Sequence, residues 1–225
     1  MAMIPSIAII LFTLWIDFRF VLRANHPAVS VSLHSCTNKI QLRLPPMEYD
    51  MQNENLVKRL LDVIPKDSIG RYDLFPVFKN TELFTEIIKH LAVPYIGRVD
   101  YVVAPEAIGW VMGSAMAREL NVGFIPLRKI DKLPYPKEVL ISQKYVDYSD
   151  KEKALEIRKG YITAGDRILI VDEWVETGVS LHCCINLLEK LGCAIVGLAT
   201  IGIDYRESTK DWIDTDFIRY IGKNI

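Results

Sequence analysis

The sequence predicts an α/β fold in which a central parallel sheet is flanked by helices. Short β-branched runs alternate along the chain with stretches of helical periodicity, the order that produces parallel strands. The runs are almost continuously apolar, as expected for strands that are buried on both faces. Polar residues follow directly after several of these runs. Ligands of such sheets bind beyond the carboxyl ends of the strands, so these residues are the first candidates for a site.

Helices are predicted where apolar residues recur every three to four positions. The first begins near Asn53 and stops at Pro65; its apolar residues are Leu56, Leu60, Leu61 and Ile64. Asn80 is a suitable N-cap for a second helix that continues to Leu91. Two more helices are predicted, at residues 107–121 and 177–191. Between the first two helices, SIGRYDLFPVF is interpreted as a loop with a short extended piece.

Five segments are predicted to be strands: VDYVVAP, VGFIPLRK, VLISQKY, RILIVD and AIVGLATIGI. Glu106 follows the first, Arg128 and Lys129 end the second, and Asp172 with Glu173 ends the fourth. Since the carboxyl ends of parallel strands meet at one edge of the sheet, we expect these side chains to gather there.

Composition limits the class of protein. The 225 residues suit one domain with length to spare, 24% are charged, and the net charge is −1. This balance does not indicate a nucleic-acid surface, so no nucleic-acid partner is expected. The four cysteines form no CxxC pair and no histidine cluster accompanies them. They are interpreted as reduced packing residues of a cytoplasmic protein, and a zinc site is not expected.

The N-terminus carries an apolar run, MIPSIAIILFTLWI, that ends before Asp17 and Arg19. It is shorter than the roughly 18 residues of a membrane span, and it lacks the positive flank of a signal peptide. Three interpretations compete: a weak anchor, an extra packing element, or a start assigned too early. The last is favoured, with Met47 or Met51 as the true start. We therefore predict an extension at 1–46 and one domain at 47–225.

Asp172 and Glu173 form the most informative pair. Two unpaired carboxylates at the end of a buried strand must face a wet or ligand-filled cleft, because desolvating a charge costs several kcal/mol. Such a pair binds a metal or the cis-diol of a ribose. The helix predicted after Thr177 and Gly178 offers free N–H groups to an anion such as phosphate. Together they indicate a ribose 5-phosphate site. The competing interpretation is an ordinary acidic cluster at a helix N-terminus.

ILIVDEWVETGVSL resembles the phosphoribosyl diphosphate signature of type I phosphoribosyltransferases: an apolar strand, two acids, three residues, Thr-Gly, one residue, then Thr or Ser. RYDLFPVFKNTELF is similar to a segment of the adenine phosphoribosyltransferases, with matches at Asp73, Pro76 and Phe84. PEAIGWVMG stands where that family has its Glu-Ala-Arg-Gly-Phe diphosphate loop. PLRKIDKLP and YVDYSDKEKALEIRKGYI resemble its basic stretch and its mobile loop. The resemblance runs from about Leu56 to Asp204.

The resemblance implies a Rossmann-like type I fold with a small hood region, and a reaction between a purine base, adenine above all, and phosphoribosyl diphosphate with Mg²⁺. It implies roles for specific residues, and a homodimer. The ribose and its 5-phosphate would be bound by Asp172, Glu173, Glu176, Thr177, Gly178, Val179 and Ser180. The diphosphate would be bound by Ala107, Ile108, Arg128, Lys129 and Lys132, and the base by Ile69, Gly70, Arg71 and Tyr72. The catalytic residues would be Asp147 (on a lid with Tyr148), Asp172 and Glu173, and no protein side chain is expected to ligate the metal directly.

Several positions depart from the family pattern. Ile108 replaces the arginine of the diphosphate loop, which removes a charge-assisted contact worth roughly 1.5–3 kcal/mol. Val179 replaces a glycine, at a cost of about 1–3 kcal/mol if the position needs a positive φ. Glu176 places a negative charge beside an anion site unless it points outward. Tyr72 replaces an arginine at the base.

These departures leave three hypotheses. The first is a working purine phosphoribosyltransferase of the adenine type with altered affinity for its donor. The second is a non-catalytic sensor that binds a nucleotide or a phosphoribosyl ligand. The third is an enzyme of the same fold with another phosphoribosyl substrate. The retained acids, basic residues and lid favour the first, whereas Ile108 and Val179 favour the second.

Overall fold

Eight strands form one sheet in the part of the chain that the computed structural model describes, residues 51–65, 72–146 and 152–224. These residues all belong to one unit, Thr37–Ile225. The predicted extension at 1–46 lies outside the described residues. The strands are β1 (Tyr101–Pro105), β2 (Gly123–Lys129), β3 (Leu140–Val146), β4 (Glu152–Arg158), β5 (Arg167–Val171), β6 (Trp174–Val175), β7 (Ala194–Ile203) and β8 (Ile218–Lys223).

The centre of the sheet is parallel, as predicted. The strand order is β3-β4-β2-β1-β5-β7, and β6 and β8 also pair with β7. β2, β1, β5, β7 and β8 pair in parallel, whereas β3 and β4 add an antiparallel edge beyond β2. That edge was not predicted, because β4 lies inside the segment that resembles a mobile loop.

Strands β5 and β6 follow one line along the edge of β7. Val171 pairs with Ala199 and Trp174 pairs with Gly202, so the register does not change between them. Between the two strands, the Asp172 N–H donates to the Ala199 carbonyl at 3.1 Å, and the Glu173 carbonyl accepts from the Ile201 N–H at 3.2 Å. The backbone of the acid pair is therefore held by the sheet itself.

Six α-helices occur in the described ranges: α1 (Met51–Val63), α2 (Phe75–Lys79), α3 (Thr81–Ala92), α4 (Gly109–Leu120), α5 (Val179–Glu189) and α6 (Lys210–Asp214). The predicted cap of α3 is confirmed, since the Asn80 side chain accepts from the Leu83 N–H. The loop predicted between the first two helices is wrong in part, because it contains α2. Pro76 is the second residue of that helix and does not break it, because its fixed φ suits the first turn, where its missing N–H has no intrahelical partner.

Both faces of the sheet are covered, as the apolar strands predicted. Leu169 and Val171 of β5 pack in one hydrophobic cluster with α1, α3 and α4. Ile168 and Ile170 point to the opposite face and pack in a second cluster with α5 and α6. The alternation follows from the two-residue period of a strand. None of the helices in the described ranges has the length and apolar character to span a bilayer.

Candidate active site

The polar residues predicted to meet at one edge of the sheet do so. Pro105 of β1 pairs with Leu127 of β2, and β1 also pairs with β5, so the ends of these three strands are adjacent. The start of α4, which follows the loop after β1, then approaches the acid pair closely. A Cβ placed on Gly109 would lie only 2.9 Å from Asp172 Oδ1. Glycine at this position therefore leaves the space that the carboxylate occupies.

The two acids have different surroundings. Asp172 is 8% exposed, and its Oδ1 accepts the Glu173 N–H at 3.0 Å. Burial, and then the neighbouring Glu173, hold the pKa of Asp172 well above its usual range. Glu173 is half-buried. The sequence predicts that both acids face a wet or ligand-filled cleft; in the structure Asp172 is buried, because its backbone continues the sheet and its side chain turns towards α4.

The turn after β6 leads directly into α5. Gly178 has a φ of +74° and is the N-cap of the helix, with Val179 as its first residue and Ser180 as its second. Val179 is not among the described non-glycine residues with positive φ. The glycine expected there is therefore not needed for backbone reasons, because the left-handed residue is Gly178. The first turn of a helix has N–H groups without intrahelical partners, which suits it to an anion.

The Glu176 side chain points away from this turn, the orientation that would keep its negative charge out of an anion site. Its side chain is 54% exposed, and its Oε1 lies 3.6 Å from Arg206 Nη2. Thr177, the next residue, is half-buried, and its carbonyl accepts from Ser208 Oγ at 2.8 Å. The segment after β7 therefore contacts the turn from outside.

Arg128 at the end of β2 is held in place by the loop after β1. Glu106 Oε2 lies 3.2 Å from Arg128 Nη1, and Glu106 Oε1 accepts the Lys129 N–H at 2.9 Å. The guanidinium also lies over the Trp110 ring, 5.1 Å from its centroid, and the Trp110 Nε1–H donates to the Leu127 carbonyl. One fixed guanidinium thus stands beside the loop that contains Ile108.

The remaining residues predicted for the diphosphate are placed less tightly. Ala107 is exposed and Ile108 is half-buried just before α4; the Glu106–Ala107 peptide bond is cis. Lys132 is exposed, and its N–H and that of Leu133 donate to Oε1 of the buried Glu156, at 3.3 and 3.1 Å. The backbone near Lys132 is therefore anchored to β4, while its side chain extends into solvent.

Of the residues predicted at the base, the structure describes only Tyr72. Its ring stacks on Trp174, with 4.3 Å between centroids, and Trp174 packs against Gly202, where a Cβ would lie 2.3 Å from the indole. An aromatic pair thus adjoins the acid pair. The other predicted residues, Ile69, Gly70, Arg71, Asp147 and Tyr148, lie outside the described residues.

The sequence analysis missed the residues that support the site: Trp110, Glu156, Trp174, Arg206 and Ser208. Glu156 had a recognisable signal, since a carboxylate within the apolar run ALEI needs a partner if it is buried. Trp174 could have been suspected from its place directly after the acids. Arg206 and Ser208 gave no signal, because only the tertiary fold brings the segment after β7 to the turn.

Comparisons with known proteins agree with this geometry. A model of the phosphoribosyl transferase domain matches residues 77–221. The adenine phosphoribosyltransferase of Thermotoga maritima is 36% identical over 148 residues, 65% of this chain and 83% of that protein. That of Acidobacterium capsulatum is 35% identical over 165 residues, 72% of this chain and 88% of that protein.

Solved structures show the same similarity. The adenine phosphoribosyltransferase of Thermoanaerobacter pseudethanolicus superposes with a TM-score of 0.65 at 29% identity, over 74% of this chain and 99% of that one. The Saccharomyces cerevisiae adenine phosphoribosyltransferase, solved with adenine and an imino-altritol bisphosphate, gives a TM-score of 0.61 at 25% identity, over 75% and 99% of the two chains.

Proposed function

This chain belongs to the phosphoribosyltransferase family and is an adenine-type purine phosphoribosyltransferase, and we propose that its substrates are adenine and phosphoribosyl diphosphate. A purine nitrogen attacks C1 of the donor, the bond from C1 to the diphosphate breaks, and a nucleoside monophosphate forms. One observation carries the proposal: the acid pair lies between β5 and β6 on one strand line against β7, and the turn into α5 follows β6 directly.

The acid pair would bind the ribose. Asp172 is held by its burial and by the Glu173 N–H, so its carboxyl group is fixed before the donor arrives. Glu173 is the more accessible acid and would accept the hydrogen bonds of the hydroxyl groups. Groups fixed in advance stabilise the transition state without reorganising during the reaction.

The turn at residues 176–180 would bind the 5-phosphate. The N–H groups at the start of α5 would donate to the phosphate oxygens, together with the hydroxyls of Thr177 and Ser180. Gly178 allows the close backbone approach, and Val179 continues the helix. Glu176 contributes through its backbone only, since its side chain pairs with Arg206.

The diphosphate would be bound between two strand ends. Arg128, oriented by Glu106 and Trp110, would neutralise the charge that grows on the leaving group, with Lys129 and Lys132 beside it. Ala107 and Ile108 would contribute N–H groups rather than a guanidinium. Binding of the diphosphate would then depend mainly on the residues at the end of β2 and directly after it.

The residues present suit a Mg²⁺ ion that arrives with the donor. Among the described residues no group of three or more His, Cys, Asp or Glu side chains forms a metal site. Mg²⁺ usually keeps several waters and is bound by one or two carboxylates together with substrate phosphates, and Asp172 and Glu173 would face it through water rather than as direct ligands. When bound, the ion offsets the charge of the diphosphate oxygens.

The base and the lid complete the proposal. Tyr72, stacked on Trp174, would border the base with residues 69–71. Asp147 would assist at the purine from a lid that excludes water when it closes. We also propose a homodimer, supported by exposed apolar side chains such as Phe75 and Ile96, each 65% exposed. A cytoplasmic location is supported by the free Cys183 and Cys184.

The direct test is a turnover assay. Purified protein is mixed with Mg²⁺, phosphoribosyl diphosphate and each purine base in turn, and diphosphate release is measured. We expect turnover with adenine above the other bases. Nucleotide binding without turnover for any base would instead support the sensor hypothesis, which the loss of the loop arginine at Ile108 favours.

The double variant Asp172→Asn, Glu173→Gln tests the role of the acids. It should lower kcat/KM with adenine at least about a thousandfold, because each group proposed to bind the ribose loses an oxygen that hydrogen-bonds a hydroxyl group. Its circular dichroism and melting temperature should show a folded protein. Ser114→Ala, on the exposed face of α4, is the control and should keep full activity. Wild-type activity in the double variant would end the ribose assignment.

A further inference from the structure

The turn proposed to hold the 5-phosphate is supported by residues 204–212, which follow β7 (the 204–212 segment). Ser208 Oγ donates to the Thr177 carbonyl at 2.8 Å. The Trp212 ring packs under Gly178, where a Cβ would lie 2.9 Å from it. Trp212 also stacks on His182 of α5, with 4.3 Å between ring centroids. The segment therefore contacts both the turn and the first part of the helix.

Arg206 is the charged residue by which this segment reaches the turn. Its Nη2 lies 2.9 Å from Asp204 Oδ2 and 3.6 Å from Glu176 Oε1. Its own N–H donates to Thr209 Oγ1 at 2.9 Å, and that hydroxyl donates in turn to the Asp204 carbonyl. The backbone of Arg206 is thus fixed, and its guanidinium stands between two carboxylates.

The ion pair with Glu176 has an electrostatic consequence for the neighbouring anion site. Glu176 immediately precedes Thr177, so an unpaired carboxylate there would repel a phosphate bound at the turn. The Debye length is about 8 Å at physiological ionic strength, so screening would not remove a repulsion between neighbouring groups. Arg206 supplies the opposite charge.

We propose that Arg206, which also contacts Asp204, is a positioning residue that offsets the charge of Glu176 and thereby raises the affinity of the turn for the phosphate of a phosphoribosyl ligand. The inference rests on the proposed function, since the phosphate site is that of the donor. Arg206 acts through Glu176. The contact with Arg206 explains how this chain can have Glu176 next to a site that binds an anion.

The experiment measures the Kd of ribose 5-phosphate by calorimetry for the full chain and three variants. Arg206→Gln should weaken binding and Glu176→Gln should tighten it, each by about two- to fivefold, the range for exposed ion pairs. The double variant should recover towards wild type, and any remaining deficit would come from Asp204, which loses its contact with Arg206. All differences should shrink as salt is raised. The KM for phosphoribosyl diphosphate should follow the same order, with smaller changes in kcat.

Shifts of the Kd in opposite directions in the two single variants would distinguish an electrostatic role of the Arg206–Glu176 pair from a structural role. If the pair only held the turn in shape, both single variants would weaken binding and the double variant would not recover. That result, or four equal Kd values, would overturn the proposal. Arg59→Gln is the matched control: Arg59 pairs with Glu86 at similar exposure, 38% and 46%, and joins α1 to α3. Its Kd should equal that of wild type.

The outcome also separates this inference from the proposed reaction. If the wild type binds ribose 5-phosphate but forms no nucleotide, the reaction is wrong and the four Kd values still test Arg206. If the wild type turns over adenine while the Kd values coincide, the reaction stands and the inference fails. A wild type that does not bind ribose 5-phosphate overturns the inference.

Discussion

At the scale of single residues, the burial of the Asp172 carboxyl group lowers the stability of the folded protein at neutral pH. Its carboxyl group is buried beside a second acid, and its pKa lies well above the usual range because of burial and then Glu173. The folded protein therefore holds a proton that the unfolded chain releases near pH 4. Between that pH and the raised pKa, stability falls as pH rises, because the folded state binds more protons.

The variant Asp172→Asn should therefore melt at a higher temperature than wild type at pH 7. The amide keeps the shape and can still accept the Glu173 N–H, but it has no proton to take up on folding. Each kcal/mol relieved raises the melting temperature by about 2–4 °C for a chain of this size. The difference should shrink towards pH 4, where Asp172 is protonated in the unfolded chain as well. Calorimetric scans from pH 4 to 8 without ligand measure it; a variant that is less stable at pH 7 would show that the buried charge is compensated.

At the scale of elements, the turn into α5 depends on one glycine for two separate reasons. Gly178 has a φ of +74°, and a Cβ there would lie 2.9 Å from the Trp212 ring and 3.1 Å from Thr209. Gly160, between β4 and β5, has a φ of +85° with nothing within 4 Å of such a Cβ. The two positions share a positive φ and differ in the space around them.

Alanine at each position separates the two effects. Gly160→Ala should lower the free energy of unfolding by about 1–2 kcal/mol, the strain of a left-handed residue, and leave turnover unchanged. Gly178→Ala adds the steric overlap, so its loss should reach about 2–4 kcal/mol, with a raised KM for phosphoribosyl diphosphate. Urea unfolding and steady-state kinetics supply both numbers. Equal losses in the two variants would mean that Trp212 and Thr209 move aside freely.

The sequence predicted those elements whose pattern is local. β1, β5 and α3 were found because apolar runs and a cap residue define them within a few positions. β4 was missed because it lies inside the segment that resembles a mobile loop, and its place in the sheet depends on pairing with the distant strand β2. β8 was missed too, since its partner β7 lies many residues away. Similarly, Asp172 and Gly178 were predicted from a contiguous motif, whereas Arg206 and Trp212 reach the site only through the fold.

At the scale of the whole molecule, α1 is part of the domain core rather than an appendage. Leu56 and Leu60 are 2% and 0% exposed and pack in the cluster that covers one face of the sheet. Leu61, the neighbour of Leu60, is 43% exposed. The helix therefore presents one apolar stripe to the sheet, and its contribution to stability can be measured with two adjacent leucines.

Leu60→Ala should lower the free energy of unfolding by about 2–5 kcal/mol, the range for a buried leucine, whereas Leu61→Ala should change it by no more than about 0.5 kcal/mol. The same reasoning predicts where the chain can be shortened. A chain that starts at Met47 keeps α1 and should melt within a few degrees of the full chain. A chain that starts at Lys66 loses the helix and exposes the cluster, so it should not unfold cooperatively. If the Met47 chain aggregated or melted far lower, residues 1–46 would belong to the domain, and the predicted boundary would be wrong.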